Sequence, residues 1–361
     1  MNKPPVLLLY GLDEASQPYE VEATNLLIEV VENSLASRNW RVDTVRLVHD
    51  LVSPLRGYDP HEWIVLNLCE GGPAQDFYYA RVALLLDSLG FTYTGSDCRT
   101  LDQTQFKAQM KQLLADKAVP TPAWAIYEDA ADIDFGIYPA IVKPASEHCS
   151  LGITRKSVVM NLDEARKQVA ALRREFNGPA LLEEFLDSAE YNVSVWGSDA
   201  IHSDHGISVL GISTMTYDAF PDIHDRLCTF EAKWDPASAA YQRIPAICPA
   251  PVSAELKVQI ERTAIAAYLA TGCRDYGRVD LRLRGTQPMV LDVNSNCDVS
   301  PGSGFANAAT ASGLEYADML ERIVQFAIQR RERVEVRTTN DHAQRKQEQR
   351  FHVPSPAPAG A

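Results

Sequence analysis

Tyr276-Gly277-Arg278-Val279-Asp280-Leu281-Arg282-Leu283, followed after a short turn by Met289-Val290-Leu291-Asp292-Val293-Asn294-Ser295-Asn296, decides how this chain reads. Both runs alternate apolar and polar residues, the period of a half-buried strand. Val279, Leu281 and Leu283 face one way; Arg278, Asp280 and Arg282 face the other. Asp292 and Asn294 share a face because strand side chains two apart do. Gly285-Thr286-Gln287-Pro288 is the turn signal between them. Paired as a hairpin, the strands gather two acids, an amide and an arginine on one polar face. Three such oxygen donors suit a hard cation such as magnesium, which keeps waters and shares its shell with phosphates. The plainer alternative is the solvated side of an ordinary hairpin.

Around this hairpin lies an ordinary globular composition. The 361 residues are 46% hydrophobic and 23% charged, enough for two or three domains with real cores. A net charge of -14 argues against nucleic acid or an anionic membrane as partner. The seven cysteines form no Cys-x-x-Cys pair and are odd in number, which fits a reducing compartment. The apolar run Val6 to Tyr10 is too short for a signal peptide, and no run approaches a membrane span. A cytoplasmic protein is expected.

Upstream, residues 4 to 10, Trp40 to Leu47 and Trp63 to Leu68 read as strands. A helix through Ala23, Leu26, Leu27, Val30, Val31 and Leu35 separates the first two. Such alternation predicts α/β with a parallel sheet, whose ligands bind at the strands' carboxyl ends. Glu20 and the loop Asn67 to Gly72 are candidates to line a site there, with plain turn chemistry as the alternative. Tyr93-Thr94-Gly95-Ser96-Asp97 marks a boundary. Asp102 and Gln105 have capping-box spacing before a helix carrying Phe106, Met110, Leu113 and Leu114. Lys107 lies at the edge of that stripe, where its stem can pack and its ammonium reach a pocket. Pro120 and Pro122 stop the helix.

Pro139 to Pro144 is a strand that carries Lys143, and the small-residue loop from Ala145 to Gly152, Ser150 included, follows it. A strand lysine beside such a loop is a phosphate-binding layout without the Walker pattern. Asp163 to Phe176 reads as a helix. Ala180 to Leu186 runs from apolar strand into Glu183 and Glu184, and Glu190 to Trp196 alternates cleanly. A strand end of that kind can read an adenine edge while an acid takes ribose hydroxyls; an edge strand with solvated acids is the alternative. Ser208 to Tyr217 suggests a strand, and Asp218 to Tyr241 a long connection of the kind that forms lids. Ser253 to Gly272 brackets a helix, and a last helix runs from about Ala317 to Arg331. From Arg333 the polar, proline-rich tail is expected to be disordered.

Taken in order, these pieces resemble the ATP-grasp superfamily, and within it the D-alanine–D-alanine ligase branch. The likeness rests on Tyr-Thr-Gly-Ser (93–96), Ile-Val-Lys-Pro (141–144), Leu-Glu-Glu-Phe-Leu (182–186), Gly-Arg-Val-Asp (277–280) and Asp-Val-Asn-Ser-Asn (292–296). It covers about residues 64 to 325. It implies a three-domain α/β architecture: an N-terminal parallel α/β domain (1–97), a central domain (98–187) and a C-terminal catalytic domain (188–332), then the tail (333–361). ATP would lie between the central and C-terminal α+β domains. The resemblance further implies that Lys107, Lys143 and Ser150 hold ATP phosphates. Glu183, Glu184 and Leu186 would sit at the adenine, and Glu190 at the ribose. Asp280, Asp292 and Asn294 would bind one or two magnesium ions, which manganese can replace. Arg278 would face the substrate carboxylate and the transition state, Ser303 and the Gly304 amide the second amino acid. Lys233 would belong to the closing lid, and Glu20 matches loosely an acid near the first amine. A homodimer is implied as well.

The activity so implied is an ATP-dependent carboxylate–amine ligase that joins two small amino-acid-like substrates through an acyl phosphate. The alternatives are D-alanine–D-alanine ligase proper and a nucleotide-binding regulator without turnover. This chain departs from the family where His148 and Cys149 replace small loop residues. Trp234 replaces a common lid tyrosine, and Cys297-Asp298 stand where Pro-Gly is usual. Those changes bear on the amino-acid substrates.

Overall fold

The computed structural model describes residues 3–14, 16–71, 75–76, 78–147, 150–197, 206–229, 231–232 and 238–351; the side chains of 239–240 and 334–351 lie outside that description. Lys233, His148, Cys149, Trp234 and Gly72, singled out in the sequence, also fall outside it.

The first sheet is built as its apolar runs require. Strands β1 (Val6–Gly11), β2 (Val42–Leu47), β3 (Ile64–Asn67) and β4 (Thr92–Tyr93) lie in the order β2-β1-β3-β4, all parallel. Val6 to Leu9 and Ile64 to Leu66 are wholly buried, as a sheet covered on both faces demands. Helix α1 (Pro18–Ser37) packs Ile28, Val31 and Leu35 on one face. Helix α2 (Tyr79–Leu89) packs Val82, Ala83 and Leu86 on the other.

The helix expected around Lys107 is two helices. Helix α3 (Cys98–Gln105) ends at Phe106, whose extended backbone (φ -97, ψ 110) starts α4 (Lys107–Asp116). The cap is Asp97, which accepts from the Thr100 amide at 2.9 Å, and Asp102 lies inside the helix. An Asx cap works from the residue before the first turn, and Asp97 holds that position. The break puts Lys107 at a helix start and turns Met110 and Leu114 away from the first sheet.

The second sheet is antiparallel. Strands β5 (Trp124–Tyr127), β6 (Ala140–Pro144), β7 (Val158–Val159) and β8 (Ala180–Glu184) run in the order β5-β8-β6-β7. Helix α5 (Leu162–Phe176), capped by Asn161 and closed by a left-handed Asn177, packs Ala165, Val169 and Leu172 beneath it.

The third sheet carries the hairpin. Strands β9 (Glu190–Gly197) and β10 (Ile207–Met215) precede the short helix α6 (Ala239–Arg243) and α7 (Ala254–Thr271). Strands β11 (Asp275–Arg284) and β12 (Gln287–Asn294) follow, and the order is β10-β9-β11-β12. Helix α7 starts at the Ser253 cap and stops at left-handed Gly272. It buries Ile260, Ala264, Ala267 and Tyr268 against Val193, Val279, Leu281, Val290 and Val293, and Met110 and Leu114 of α4 join that core. Val290 and Val293 are three apart, yet both face this core. A β-bulge makes that possible, because Asp280 pairs with Asp292 but Leu281 pairs with Val290. Strict alternation would have placed Val290 beside Asp292 on the polar face.

Helices α8 (Gly304–Ala311) and α9 (Tyr316–Phe351) close the chain, and α9 packs against α1 of the first layer. Its backbone is helical through Phe351, past the Arg331 at which the apolar pattern ends. The stretch from Glu332 to Phe351 contains neither Gly nor Pro and many good helix formers. The expected tail of 333–361 therefore begins as helix. Residues 352–361 are outside the description.

Two sequence motifs lock the first and third layers together. Gly95 has φ +85, and a Cβ there would stand 2.2 Å from Asn296 Oδ1, so only glycine fits. The Gly95 amide donates to Asp275 Oδ2 at 2.9 Å, and the Ser96 amide donates to Asn296 Oδ1 at 3.0 Å. Ser96 Oγ donates to the Ser295 carbonyl at 3.0 Å. Tyr-Thr-Gly-Ser thus fixes the loop that leaves β12.

Candidate active site

The polar face of the third sheet is assembled by register. Opposite residues of antiparallel strands share a face. On β9, Asn192 lies opposite Asp280 and Ser194 opposite Arg278; on β12, Asp292 lies opposite Asp280 and Asn294 opposite Arg278. Asp280 is the hub, 8% exposed. Its Oδ1 accepts from Arg278 Nε at 2.7 Å and Asn192 Nδ2 at 2.8 Å. Its Oδ2 accepts from Arg278 Nη2 at 2.9 Å and Asn294 Nδ2 at 3.1 Å. Burial opposes charge on Arg278, but Asp280, with help from Asp292, raises its pKa further and keeps it protonated.

Lysines converge from the other side. Lys143 Nζ meets Glu183 Oε2 at 2.5 Å, and Lys111 Nζ pairs with Glu183 Oε1. Lys111 also donates to Thr121 Oγ1 at 2.8 Å. Burial alone would raise the Glu183 carboxyl, yet the two ammonium groups hold it below the usual carboxylate range. Lys107 Nζ donates to the Glu147 carbonyl, its amide donates to the Ala145 carbonyl at 3.2 Å, and Gln105 Nε2 donates to the Ser146 carbonyl at 2.9 Å. The helix break at Phe106 thus holds the loop that follows Lys143. Burial pushes the Lys107 ammonium down to about 8, against the attraction of Asp292 and with the repulsion of Lys143. That attraction puts Lys107 within electrostatic reach of the hairpin acid Asp292.

The remaining expected residues divide. Leu186 is buried, and its carbonyl accepts from Arg282 Nη1 at 3.0 Å. Glu190 Oε2 accepts from Tyr217 Oη at 3.2 Å and Arg282 Nε at 3.3 Å. The Glu184 side chain turns to Arg284, which donates to it through Nε at 3.0 Å. Ser150, at φ +63, donates to the Cys228 carbonyl at 2.8 Å and so ties the end of the loop after β6 to the 217–229 segment. Ser303 caps α8, whose first residue is Gly304, and accepts from the Ala306 amide at 3.3 Å. Glu20 accepts from the Gln17 amide at 2.8 Å in a capping box at the start of α1. On the loop after β3, enclosure by protein and the nearby Asp298 push the Glu70 carboxyl up to about 7, although it keeps access to solvent.

This site order is matched by a family model. Residues 127–325 match the model of the D-ala D-ala ligase C-terminus, more than half of the chain. The chain belongs to the D-alanine–D-alanine ligase-like branch of the ATP-grasp superfamily. It is 31% identical over 272 residues to the uncharacterized protein y4sG of Sinorhizobium fredii, covering 74% of this chain and 75% of that one. It is 27% identical over 335 residues to the D-alanine–D-alanine ligase of Marinomonas sp., covering 89% and 95%. The fold superposes on the D-alanine–D-alanine ligase from Bacillus anthracis complexed with ATP with a TM-score of 0.70 at 19% identity. That match covers 92% of this chain and all of that one.

For a ligase of this branch, several site residues escaped the sequence reading. Lys111 lies four residues after Lys107, the spacing of neighbours on a helix face, but it reads as a surface lysine until burial is known. Asn192 follows Glu190 by two on a strand already recognised as alternating, and that spacing was a usable signal. Arg282 was placed on the polar face, but its partners are remote in sequence.

Asp280, Asp292 and Asn294 gather oxygen donors of the kind a hard cation takes on one face, and the Asp280 oxygens are engaged here by Arg278, Asn192 and Asn294. Among the described residues, no cluster of three or more His, Cys, Asp or Glu is placed to hold a metal, and none of their helices is long and apolar enough to cross a membrane. The candidate set has two acids and an amide.

Proposed function

We propose that this chain is an ATP-dependent carboxylate–amine ligase that activates one small amino-acid-like substrate as an acyl phosphate and joins it to the amine of a second. One observation carries the proposal: Lys107 lies within electrostatic reach of both Lys143 and the hairpin acid Asp292, while Arg278 pairs with Asp280 on the hairpin's polar face. Family membership and the ligase relatives support it.

Each group has a task that its position explains. A carboxylate is a poor acylating agent, so phosphoryl transfer must come first, and that step is chiefly positioning and charge stabilisation. Lys107, Lys143 and the loop with Ser150 hold phosphates as point charge and cradle. Asp280, Asp292 and Asn294 hold magnesium, which when bound neutralises the transferring phosphoryl group. Arg278, kept protonated by Asp280, stabilises the oxyanion formed as the amine attacks. Ser303 and the Gly304 amide, at the start of α8, hold the carboxylate of the attacking substrate. Leu186 and Glu190 hold adenine and ribose, with Glu183 and Glu184 on the same strand end. The acyl phosphate hydrolyses readily, so water must be excluded from it. The division into 1–97, 98–187 and 188–332 follows the three separate sheets.

Glu70 and Asp298 shape the substrate end. Two acids there favour a substrate bearing a cationic or donor group and disfavour an acidic one. Pairs other than D-alanine with D-alanine are therefore expected to be preferred. A cytoplasmic homodimer that uses neither nucleic acid nor membrane completes the reading, and the net charge of -14 supports the exclusion of those two partners.

The test is a competition of D-alanine against a panel of D- and L-amino acids with ATP and magnesium, read by mass spectrometry. An amide-linked product formed with ADP and phosphate is expected. D-alanyl-D-alanine as the product of highest kcat/KM would overturn the specificity, and no amide product from any pair would overturn the ligase.

A further inference from the structure

Arg282 is an arginine with every edge in use, 4% exposed. Its Nη1 donates to the Leu186 carbonyl at 3.0 Å and its Nη2 to the Arg226 carbonyl at 3.0 Å. Its Nε donates to Glu190 Oε2 at 3.3 Å. Its guanidinium lies over two rings, 4.5 Å from the centroid of Tyr217 and 5.2 Å from that of Phe185. A buried guanidinium is costly unless its donors are met, and here three acceptors from three separate stretches meet them. These stretches are the end of the strand carrying Glu183 and Glu184, the start of β9 and the segment from Tyr217 to Arg226.

The convergence on Glu190 is specific. Arg282 Nε and Tyr217 Oη both donate to Oε2. The carboxylate is thereby pinned through one oxygen, and Oε1 is left as the acceptor for a ligand. The Arg226 segment is held in turn, since Arg226 donates through Nε to the Phe220 carbonyl at 2.9 Å and through Nη1 to Asp187 Oδ2 at 2.7 Å.

We propose that Arg282, with Tyr217, is a positioning residue that fixes Glu190 for a ribose hydroxyl and docks the 217–226 segment on the nucleotide-binding strand end. The proposal rests on the reading of Glu190 as the ribose acid. It makes Arg282 a determinant of nucleotide selection without contact to the nucleotide. Lysine cannot replace it, because one ammonium cannot reach three acceptors lying in three directions.

The experiment compares ATP, 2′-deoxyATP and 3′-deoxyATP as substrates of the full chain. The readout is the KM ratio of each deoxynucleotide to ATP. The wild type is expected to discriminate against at least one of them by about tenfold, the worth of one charge-assisted hydrogen bond. In Arg282→Met the KM for ATP rises more than kcat falls, and the ratio drops toward one; Arg282→Lys restores it only in part. Tyr217→Phe removes one hydroxyl, keeps the ring and lowers the ratio by a smaller factor. A simple loss of folded protein would reduce the active fraction and leave the ratio alone. A wild-type ratio of one with normal use of ATP overturns the ribose assignment and the proposal with it. A wild-type ratio retained in Arg282→Met, or in Arg282→Lys should the methionine variant not fold, overturns the role of Arg282 alone. Failure of the wild type to use any nucleotide would sink the ligase reading instead.

Discussion

Asp280 lies directly opposite Asp292 in the β11–β12 ladder, one residue before the bulge that returns Val290 to the apolar core. Two acids side by side repel unless cations answer them. Arg278 answers Asp280, and Lys107 lies within electrostatic reach of Asp292. The pair is thus organised around charge that a bound metal and phosphates would extend.

Asp292→Ala removes an oxygen donor from a half-buried position and leaves the core of Val279, Leu281, Val290 and Val293 intact. A metal's contribution of several kcal/mol to the transition state makes a fall in kcat of about a hundredfold or more the expected result. The melting temperature should stay close to that of the wild type. Near-normal turnover at limiting magnesium would remove Asp292 from the metal set.

Lys143→Met keeps the aliphatic stem and deletes the charge. Loss of a charge-assisted phosphate contact costs about 1.5–3 kcal/mol, or roughly ten- to a hundredfold in ATP affinity. Glu183 keeps Lys111 as partner, so the fold persists. Titration of the variant with ATP checks this, and unchanged affinity together with unchanged rate would reject the phosphate assignment.

Lys107 gives a pH signature. Its ammonium titrates at about 8, below the ordinary lysine value, because burial disfavours the charge. Above that pH the free enzyme loses a phosphate-binding cation, so kcat/KM for ATP should fall as pH rises through about 8. Stability moves the other way. Between about 8 and about 10.4 the unfolded chain holds a proton that the native chain has released, so this group's contribution to stability rises with pH. Lys107→Arg should flatten the alkaline limb of kcat/KM; an unaltered limb would show that another group titrates.

Glu183 predicts an acid-side effect. Its native carboxyl is held below its ordinary range by Lys111 and Lys143. Its stabilising contribution is therefore complete above the unfolded value of about 4.3 and is lost as pH falls through the lower native one. Glu183→Gln leaves two buried lysines without their counter-charge and should cost about 3–5 kcal/mol in urea unfolding at pH 7. A variant as stable as the wild type would mean that the lysines find other partners.

The hairpin was legible because its signal is local: period-two alternation puts Asp280, Asp292 and Asn294 on one face whatever the rest of the chain does. Lys143 and its loop, the Ser253 and Gly272 helix limits and the parallel first sheet were readable for the same reason. What depended on distant partners was not. The break at Phe106 is hidden by an apolar stripe that continues through it, since the two helices pack on different layers. The bulge at Leu291 shows only when the valines of β12 are seen in one core. Glu183 reads as an acid at a strand end, and its burial between two lysines follows from α4 lying against the third sheet. The role of Arg282 requires partners in 186–190 and at Arg226, both far from it in sequence.

The most direct measurement of the central claim is phosphate release with ATP and magnesium over a matrix of amino-acid pairs, for the wild type and for Asp292→Ala. The account predicts release that needs two substrates together, one supplying a carboxylate and the other an amine, with loss of that release in the variant. Release by the wild type that is indifferent to amino acids, or absent for every pair while ATP still binds, would contradict it.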